Sequence, residues 1–239
     1  EAELRRFARE LQVRNDELDA FAHTVAHDLK SPLSIIAGYS ELLLDMGAAE
    51  SEALRRDGLT LILNTVDKIN NIIDELMLLA EVRKGAVEAT PLAMGVIAHE
   101  ACARLDYLAR QHQAEISIAS VWPTALGYAP WIEEVWINYV SNAIKYGGRP
   151  PCLELGGELA GGDRARFWVR DNGPGLSPDD QARLFTPFAQ LARTRATGHG
   201  LGLSIVRRIV EKLGGTVGVE STIGQGSTFY FTLPTRLPD

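Results

Sequence analysis

Leu4, Phe7, Leu11, Leu18, Phe21 and Val25 fall at the a and d positions of a heptad, with Arg14 the one interruption. The stripe continues through Leu29, Leu33, Ile36 and Leu43, so the spacing predicts a single long helix over residues 3–46. Gly47 to Glu50 reads as a tight connection and Ser51 as an N-cap. A second helix follows, with Leu54, Ile62, Val66, Ile69, Ile73, Leu76 and Leu79 as its apolar side. A lone antiparallel helical hairpin cannot bury both stripes, so the packing argument leads to a homodimer closed as a four-helix bundle.

Around Lys84-Gly85-Ala86 the long period stops, which divides the chain into expected domains 1–84 and 85–239. The second part predicts helices over 92–111, 130–146 and 201–213. It predicts strands over 115–120, 153–159, 164–170, 216–220 and 227–233. This is an α/β sandwich pattern, with the helices on one face of the sheet. Between the turn at Gly173 and Gly198 only Leu184-Phe185-Thr186-Pro187-Phe188 is apolar, and a loop of that length in a compact domain reads as a functional lid or a disordered segment.

With 46% hydrophobic and 23% charged residues the chain can build real cores, and a net charge of −7 argues against a broad footprint for nucleic acid or an anionic membrane. Cys102 and Cys152 are isolated, which suits a reducing, cytoplasmic setting and leads to the expectation of two buried thiols. No stretch approaches the roughly 20 apolar residues a membrane helix needs. The chain opens at Glu1-Ala2-Glu3-Leu4 with the heptad already running and no initiator Met. It is read as the C-terminal part of a longer protein, whose missing part is compatible with membrane association.

Counting Val25 as position a puts His27 at c, off the seam, where a core histidine fits poorly. A neutral imidazole is a competent nucleophile near pH 7, and a carboxylate can orient it and take its proton. Asp28 is the candidate, although adjacent helix positions do not normally face each other. Ser31 shares the face of His27; His23, one turn earlier, is a weaker second nucleophile. Pro32 removes the hydrogen bond to the Asp28 carbonyl and should loosen the helix there.

On the 130–146 helix, Glu134, Asn138, Asn142 and Lys145 line one face. The bland reading is a solvated polar face, but asparagine is a poor choice for that, and an amide oxygen suits a magnesium ion that keeps several waters. Lys145 is placed to meet phosphate. Asp171 ends a strand and enters Asn172-Gly173-Pro174-Gly175, where a buried carboxylate can accept an adenine amine and glycines permit close approach. Gly198, Gly200 and Gly202, with Leu201 among them, precede a helix whose free N–H groups suit phosphate. Each signal alone is weak. No Walker-type sequence is present, and the glycine cluster does not follow a buried strand as a Rossmann fingerprint would.

Together, in chain order and across nearly all 239 residues, these segments resemble the transmitter core of sensor histidine kinases. Ala26 to Leu33 resembles the phosphoacceptor box, Asn138 to Tyr146 the N box, and Asp171 to Gly175 the first glycine box. Leu184 to Phe188 resembles the F box, Gly198 to Leu203 the second glycine box, and Gly224 to Phe229 the closing segment. The resemblance implies a dimerisation and histidine-phosphotransfer domain followed by a Bergerat (GHKL) ATP-binding domain. It implies an autokinase that places the γ-phosphoryl of ATP on His27 and passes it to an aspartate of a response-regulator receiver domain. It assigns catalysis to His27, Asp28 and Ser31 and magnesium to Asn142. ATP falls to Asn138, Asn142, Lys145, Tyr146, Asp171, Gly173, Gly175, Phe188, Arg193, Arg195, Gly198, Gly200, Leu201 and Gly202. Ser31 stands where many members carry Thr or Asn, the position linked to dephosphorylating the regulator. Residues 11–18 resemble linkers that follow PAS or phytochrome-type sensors, implying an upstream sensor domain.

Two rivals frame this reading. ATPase domains of type II topoisomerases resemble the pocket but place a carboxylate, as a base for water, where Asn138 stands; Glu134 is the only local substitute. A non-catalytic phosphorelay scaffold would need no intact nucleotide set.

Overall fold

The computed structural model describes residues 2–46, 51–85, 87–186 and 201–236; for residues 2–24, Gln12 apart, and 83–84 the description is of the backbone. The chain forms two compact units, residues 1–77 and 78–239, and the division falls inside a helix. No helix among the described residues is long and apolar enough to cross a membrane.

The first unit is built from α1 (Ala2–Asp45) and most of α2 (Glu52–Lys84). The expected connection at Gly47 to Glu50 lies outside the described residues. Ser51 opens α2 by accepting the N–H groups of Leu54 and Arg55 on its carbonyl at 3.1 and 3.3 Å. Pro32 neither ends nor splits α1, although it cannot supply an N–H to the Asp28 carbonyl. Two residues on, the Ser34 hydroxyl donates to the Lys30 carbonyl at 2.9 Å.

The apolar stripe expected on α2 is only partly covered within one chain, with Ile62, Ile69, Leu76 and Leu79 half-buried. The buried line is Gly58, Thr65 and Ile72, one residue per heptad, with the Thr65 hydroxyl donating to the Leu61 carbonyl at 2.6 Å. Leu54, Val66 and Ile73, expected inside, are 53, 38 and 42% exposed. Leu59, Leu63, Val66, Ile73 and Met77 instead repeat at heptad spacing along an open face, with exposed Asn70 filling the polar position between them. On α1 the exposed Ile35, Tyr39 and Leu42 continue the same kind of seam.

The second unit contains β1 (Thr90–Pro91), α3 (Met94–Arg104), α4 (Asp106–His112), β2 (Glu115–Ile118), β3 (Leu126–Gly127) and α5 (Ala129–Tyr146). It continues with β4 (Cys152–Gly161), β5 (Arg164–Asp171), α6 (Pro178–Arg183), α7 (Gly202–Lys212), β6 (Thr216–Ser221) and β7 (Ser227–Pro234). Five strands form one sheet in the order β2-β4-β5-β7-β6, antiparallel except for β2 with β4, and β1 and β3 form a separate two-residue ladder. Helix formation in α5 follows its pattern: Trp131, Ile132, Val135, Trp136, Tyr139, Val140, Ala143 and Ile144 are all buried along one side. Strand β5 alternates, with Ala165, Phe167, Val169 and Asp171 buried and the intervening arginines and Trp168 on the open face. On that open face the Arg166 guanidinium lies 4.0 Å from the centre of the Tyr230 ring.

Phe231 is the hub of this core. Its ring lies 5.4 Å from Trp136, 5.3 Å from Phe167 and 6.2 Å from Tyr139, centre to centre. The Tyr139 hydroxyl donates to the Tyr230 carbonyl at 3.1 Å and the Trp136 indole N–H to Met94 Sδ at 3.2 Å, so α5 is pinned to both β7 and α3.

Three expectations are corrected. The single helix over 92–111 is two helices, because Leu105 leaves helical geometry at φ −98° and ψ 6° and the new axis brings Ala109 into the core. The loop after Gly173 contains α6, started by Pro178 and capped by Ser177, whose hydroxyl accepts the Asp180 N–H at 3.2 Å. The cysteines are half-buried, not buried; burial still pushes the Cys102 thiol up to about 11.

Phe231→Ala is expected to cost about 3–5 kcal/mol of stability, the range for emptying an aromatic core position. Urea unfolding monitored by tryptophan fluorescence checks this, and a loss below about 1 kcal/mol would place the core elsewhere.

Candidate functional site

The histidine and the expected nucleotide residues sit on different units. On α1, His27 is 74% exposed at its side chain, and its Nδ1 lies 3.2 Å from Asp28 Oδ1, although the two are adjacent in sequence. The carboxylate reaches around the helix, which the spacing alone argued against. The other ring nitrogen, Nε2, makes no hydrogen bond to a described residue. Ser31 is exposed and Pro32 buried, so the proline packs inward one turn past an outward histidine. The side chain of His23 lies outside the described residues.

In the second unit the chemistry occupies the side of α5 opposite the core. Asn142 Nδ2 donates to Asn138 Oδ1 at 3.1 Å, which fixes both amides and leaves Asn142 Oδ1 for a cation. Both residues are partly exposed, as is Tyr146, and Lys145 is exposed at the end of the helix. Glu134, one turn before Asn138, is held at 3.0 Å by Arg104 of α3, which also binds Glu133 at 3.1 Å. These two carboxylates hold the Arg104 guanidinium pKa up.

Asp171 is the one buried carboxylate of the β5 alternation, 7% exposed on the face its neighbours use for Phe167 and Val169. Its Oδ1 accepts the Gly173 N–H at 2.7 Å. Burial pushes its pKa up, while the N–H groups of Gly173 and Ser227 oppose that by favouring the charged form. Ser227 joins this environment to α6: its hydroxyl lies 2.9 Å from that of Ser221, which accepts the Leu176 N–H at 2.8 Å. Gln181 completes the connection, donating to the carbonyls of Leu176 and Ser221 at 3.1 and 3.0 Å.

Two glycines are required by close approach. A Cβ on Gly202 at the start of α7 would overlap the Asn138 amide, so the helix N-terminus and the asparagine pair are brought together by the missing side chain. Gly175 has φ +71°, and a Cβ there would overlap the Thr222 carbonyl. Leu201, at the N-cap of α7, is buried and accepts the Ser204 hydroxyl and the Ile205 N–H on its carbonyl. Phe188, Arg193, Arg195, Gly198 and Gly200, all expected at the site, lie outside the described residues.

The structure therefore brings Asn138, Asn142 and Gly202 together, and it places Asp171 with Gly173 at the end of α5. Sequence reasoning assigned no role to Arg104, Asn172, Ser221 or Ser227. Asn172 was quoted within its motif, and an asparagine preceding glycine is a standard signal for side-chain bonding to nearby backbone. Two open grooves flank α3, of about 430 and 490 Å³ and sharing His99, and no expected site residue lines them.

Residues 127–237 match the family described as histidine kinase-, DNA gyrase B- and HSP90-like ATPase, and residues 17–85 match the His Kinase A (phospho-acceptor) domain. Among characterised relatives, the methanogenesis regulatory histidine kinase FilI of Methanothrix harundinacea is 34% identical over 229 residues, covering 95% of this chain and 26% of that protein. Cyanobacterial phytochrome B of a Nostoc species is 33% identical over 227 residues, covering 94% of this chain and 30% of that protein. The chain thus spans less than a third of the length of these relatives. Full-length ShkA, solved in complex with AMPPNP, superposes with a TM-score of 0.63 at 28% identity over 88% of this chain and 44% of that one. The histidine kinase ThkA, solved with the response regulator TrrA, matches in fold with a TM-score of 0.75 at 21% identity, over 95% of this chain and 65% of that one. The phospho-acceptor helix pair and the ATPase domain follow one another here in the order of a transmitter core, and the chain belongs to the sensor histidine kinases.

Proposed function

We propose that the chain is an ATP-dependent protein-histidine kinase that phosphorylates its own His27 and hands the phosphoryl group to an aspartate of a response-regulator receiver domain. The observation that carries this reading is the His27–Asp28 pair at 3.2 Å on an exposed helix face. With Nδ1–H donating to Asp28, the lone pair resides on Nε2, which points the nucleophile outward.

Nε2 attacks the γ-phosphorus, the bond from that phosphorus to the β,γ-bridging oxygen breaks, and ADP leaves; Asp28 takes up the positive charge and proton of the imidazolium. In the second step a receiver carboxylate attacks the phosphorus and the N–P bond breaks as Asp28 returns the proton to Nδ1, which regenerates neutral His27. Asp171 accepts the adenine amine, and Gly173, Gly175, Leu201 and Tyr146 shape the surrounding walls. Lys145 and the N-terminus of α7 at Gly202 face the phosphates, with Phe188, Arg193, Arg195, Gly198 and Gly200 assigned to the same ligand by motif. Asn142 Oδ1, braced by Asn138, would hold Mg²⁺, which when bound neutralises phosphate charge. Ser31, on the His27 face, is the residue to position water for removing phosphate from the regulator.

Transfer is favoured over hydrolysis because the two carboxylates of α5, Glu133 and Glu134, are both engaged by Arg104. The exposed heptad seam of Leu59, Leu63, Val66, Ile73 and Met77 supports a homodimer in which a second hairpin covers it. An upstream sensor domain fits the linker resemblance and the much greater length of the relatives.

With γ-labelled ATP and magnesium, the chain is expected to acquire an acid-labile, alkali-stable label. His27→Ala should remove it while ATP affinity by calorimetry stays within about two-fold, and Asn142→Ala or Asp171→Ala should weaken ATP binding about ten-fold or more. Full labelling of His27→Ala would move the nucleophile elsewhere. Light scattering should give twice the chain mass of 26.1 kDa. Leu63→Glu combined with Met77→Glu should give the single-chain mass with helical content retained, and an unchanged dimer would sink the seam assignment.

A further inference from the structure

The side chain of Asn172 does something no motif role requires. Its Oδ1 accepts two backbone N–H groups, from Gly148 and Cys152, each at 2.9 Å, and its Nδ2 donates to the Pro150 carbonyl at 3.0 Å. One amide thereby spans the whole connection between α5 and β4. That connection begins where α5 delivers Asn142, Lys145 and Tyr146, and Asn172 itself follows Asp171 directly.

The fit around it is tight. A Cβ on Gly173 would stand 2.7 Å from Asp171 Oδ1 and 2.9 Å from the Tyr146 carbonyl, so the turn after Asp171 rests against the last turn of α5. Gly148 is as close, since a Cβ there would fall 2.5 Å from Asn172 Nδ2. The proposed nucleotide site has two ends, the carboxylate on β5 and the amide pair on α5. Asn172 and the Gly173 contact form a direct bridge between them on the ligand side.

We infer that Asn172 is a positioning residue for the nucleotide: its three hydrogen bonds set the spacing between the adenine anchor Asp171 and the cation and phosphate end of α5. The inference rests on the reading of this pocket as an ATP site. A neutral amide is required because the site asks for two acceptor contacts and one donor contact from the same planar group. Aspartate reproduces the two acceptor contacts and loses the donor, and it turns an oxygen toward the Pro150 carbonyl; alanine loses all three.

The test uses the full chain and three proteins, wild type, Asn172→Ala and Asn172→Asp. MgATP affinity is measured by calorimetry, autophosphorylation by KM for ATP and rate at saturation, and fold by urea unfolding without nucleotide. Asn172→Ala is expected to weaken MgATP and raise KM about ten-fold, with the saturated rate within about two-fold. Asn172→Asp, which keeps the two acceptor contacts and loses the donor, is expected to recover part of the affinity, and both variants should hold a urea midpoint close to that of wild type. An Asn172→Ala chain that binds MgATP as wild type does overturns the inference. So does a loss of affinity that follows a lowered urea midpoint and is not recovered by aspartate, since that is the mark of a merely structural residue. Wild type failing to bind MgATP takes down the reading of the pocket itself, and the inference with it.

Discussion

Everything in the second unit depends on how α5 lies on the sheet. One side of this helix is core: Trp136 and Tyr139 meet Phe231 of β7, and two side-chain hydrogen bonds fasten it at Met94 and at the Tyr230 carbonyl. The opposite side carries Glu134, Asn138, Asn142 and Lys145. Because a helix moves as a rigid rod, packing that fixes the first side also fixes the second, and the amide pair inherits its position from aromatic burial. Gly202 then lets α7 approach until its first turn lies against Asn138.

This economy explains why the site has so few acids and bases. Phosphoryl transfer needs in-line placement and charge neutralisation more than proton chemistry, so amides, backbone N–H groups and one buried carboxylate are enough. His27, the proposed nucleophile and the single group with a proton to manage, lies in the other unit with Asp28 at 3.2 Å. Glu134, which in another setting would be the natural base for water, is engaged by Arg104 and held away from that task. In the proposed reaction the nucleophile belongs to one unit and the nucleotide residues to the other.

Much of this was legible in the order of residues, and the exceptions have physical causes. Period 3.6 in α5 and period 2 in β5 located both elements to within a residue or two, and the β5 alternation alone marks Asp171 as a carboxylate in a core register. Heptads identified both hairpin helices, and Ile62, Ile69, Leu76 and Leu79 of the expected α2 stripe are half-buried. Hydropathy passes over Gly58 and Thr65, which are buried because small side chains allow close approach. The β1–β3 ladder is too short to show any period. Helix α6 buries none of its residues, so only its cap, Ser177 followed by Pro178, could have betrayed it. The reach of Asp28 to His27 and the triple bond set of Asn172 are side-chain events that spacing rules do not address.

In the proposed reaction His27 attacks through Nε2 because Asp28 holds Nδ1. The most direct test is nitrogen–phosphorus correlation NMR on chain labelled with ¹⁵N-histidine after reaction with ATP, which reports which ring nitrogen carries phosphorus. A single N–P coupling, to Nε2 of His27, is expected. Coupling to Nδ1, or to any other histidine, would contradict it.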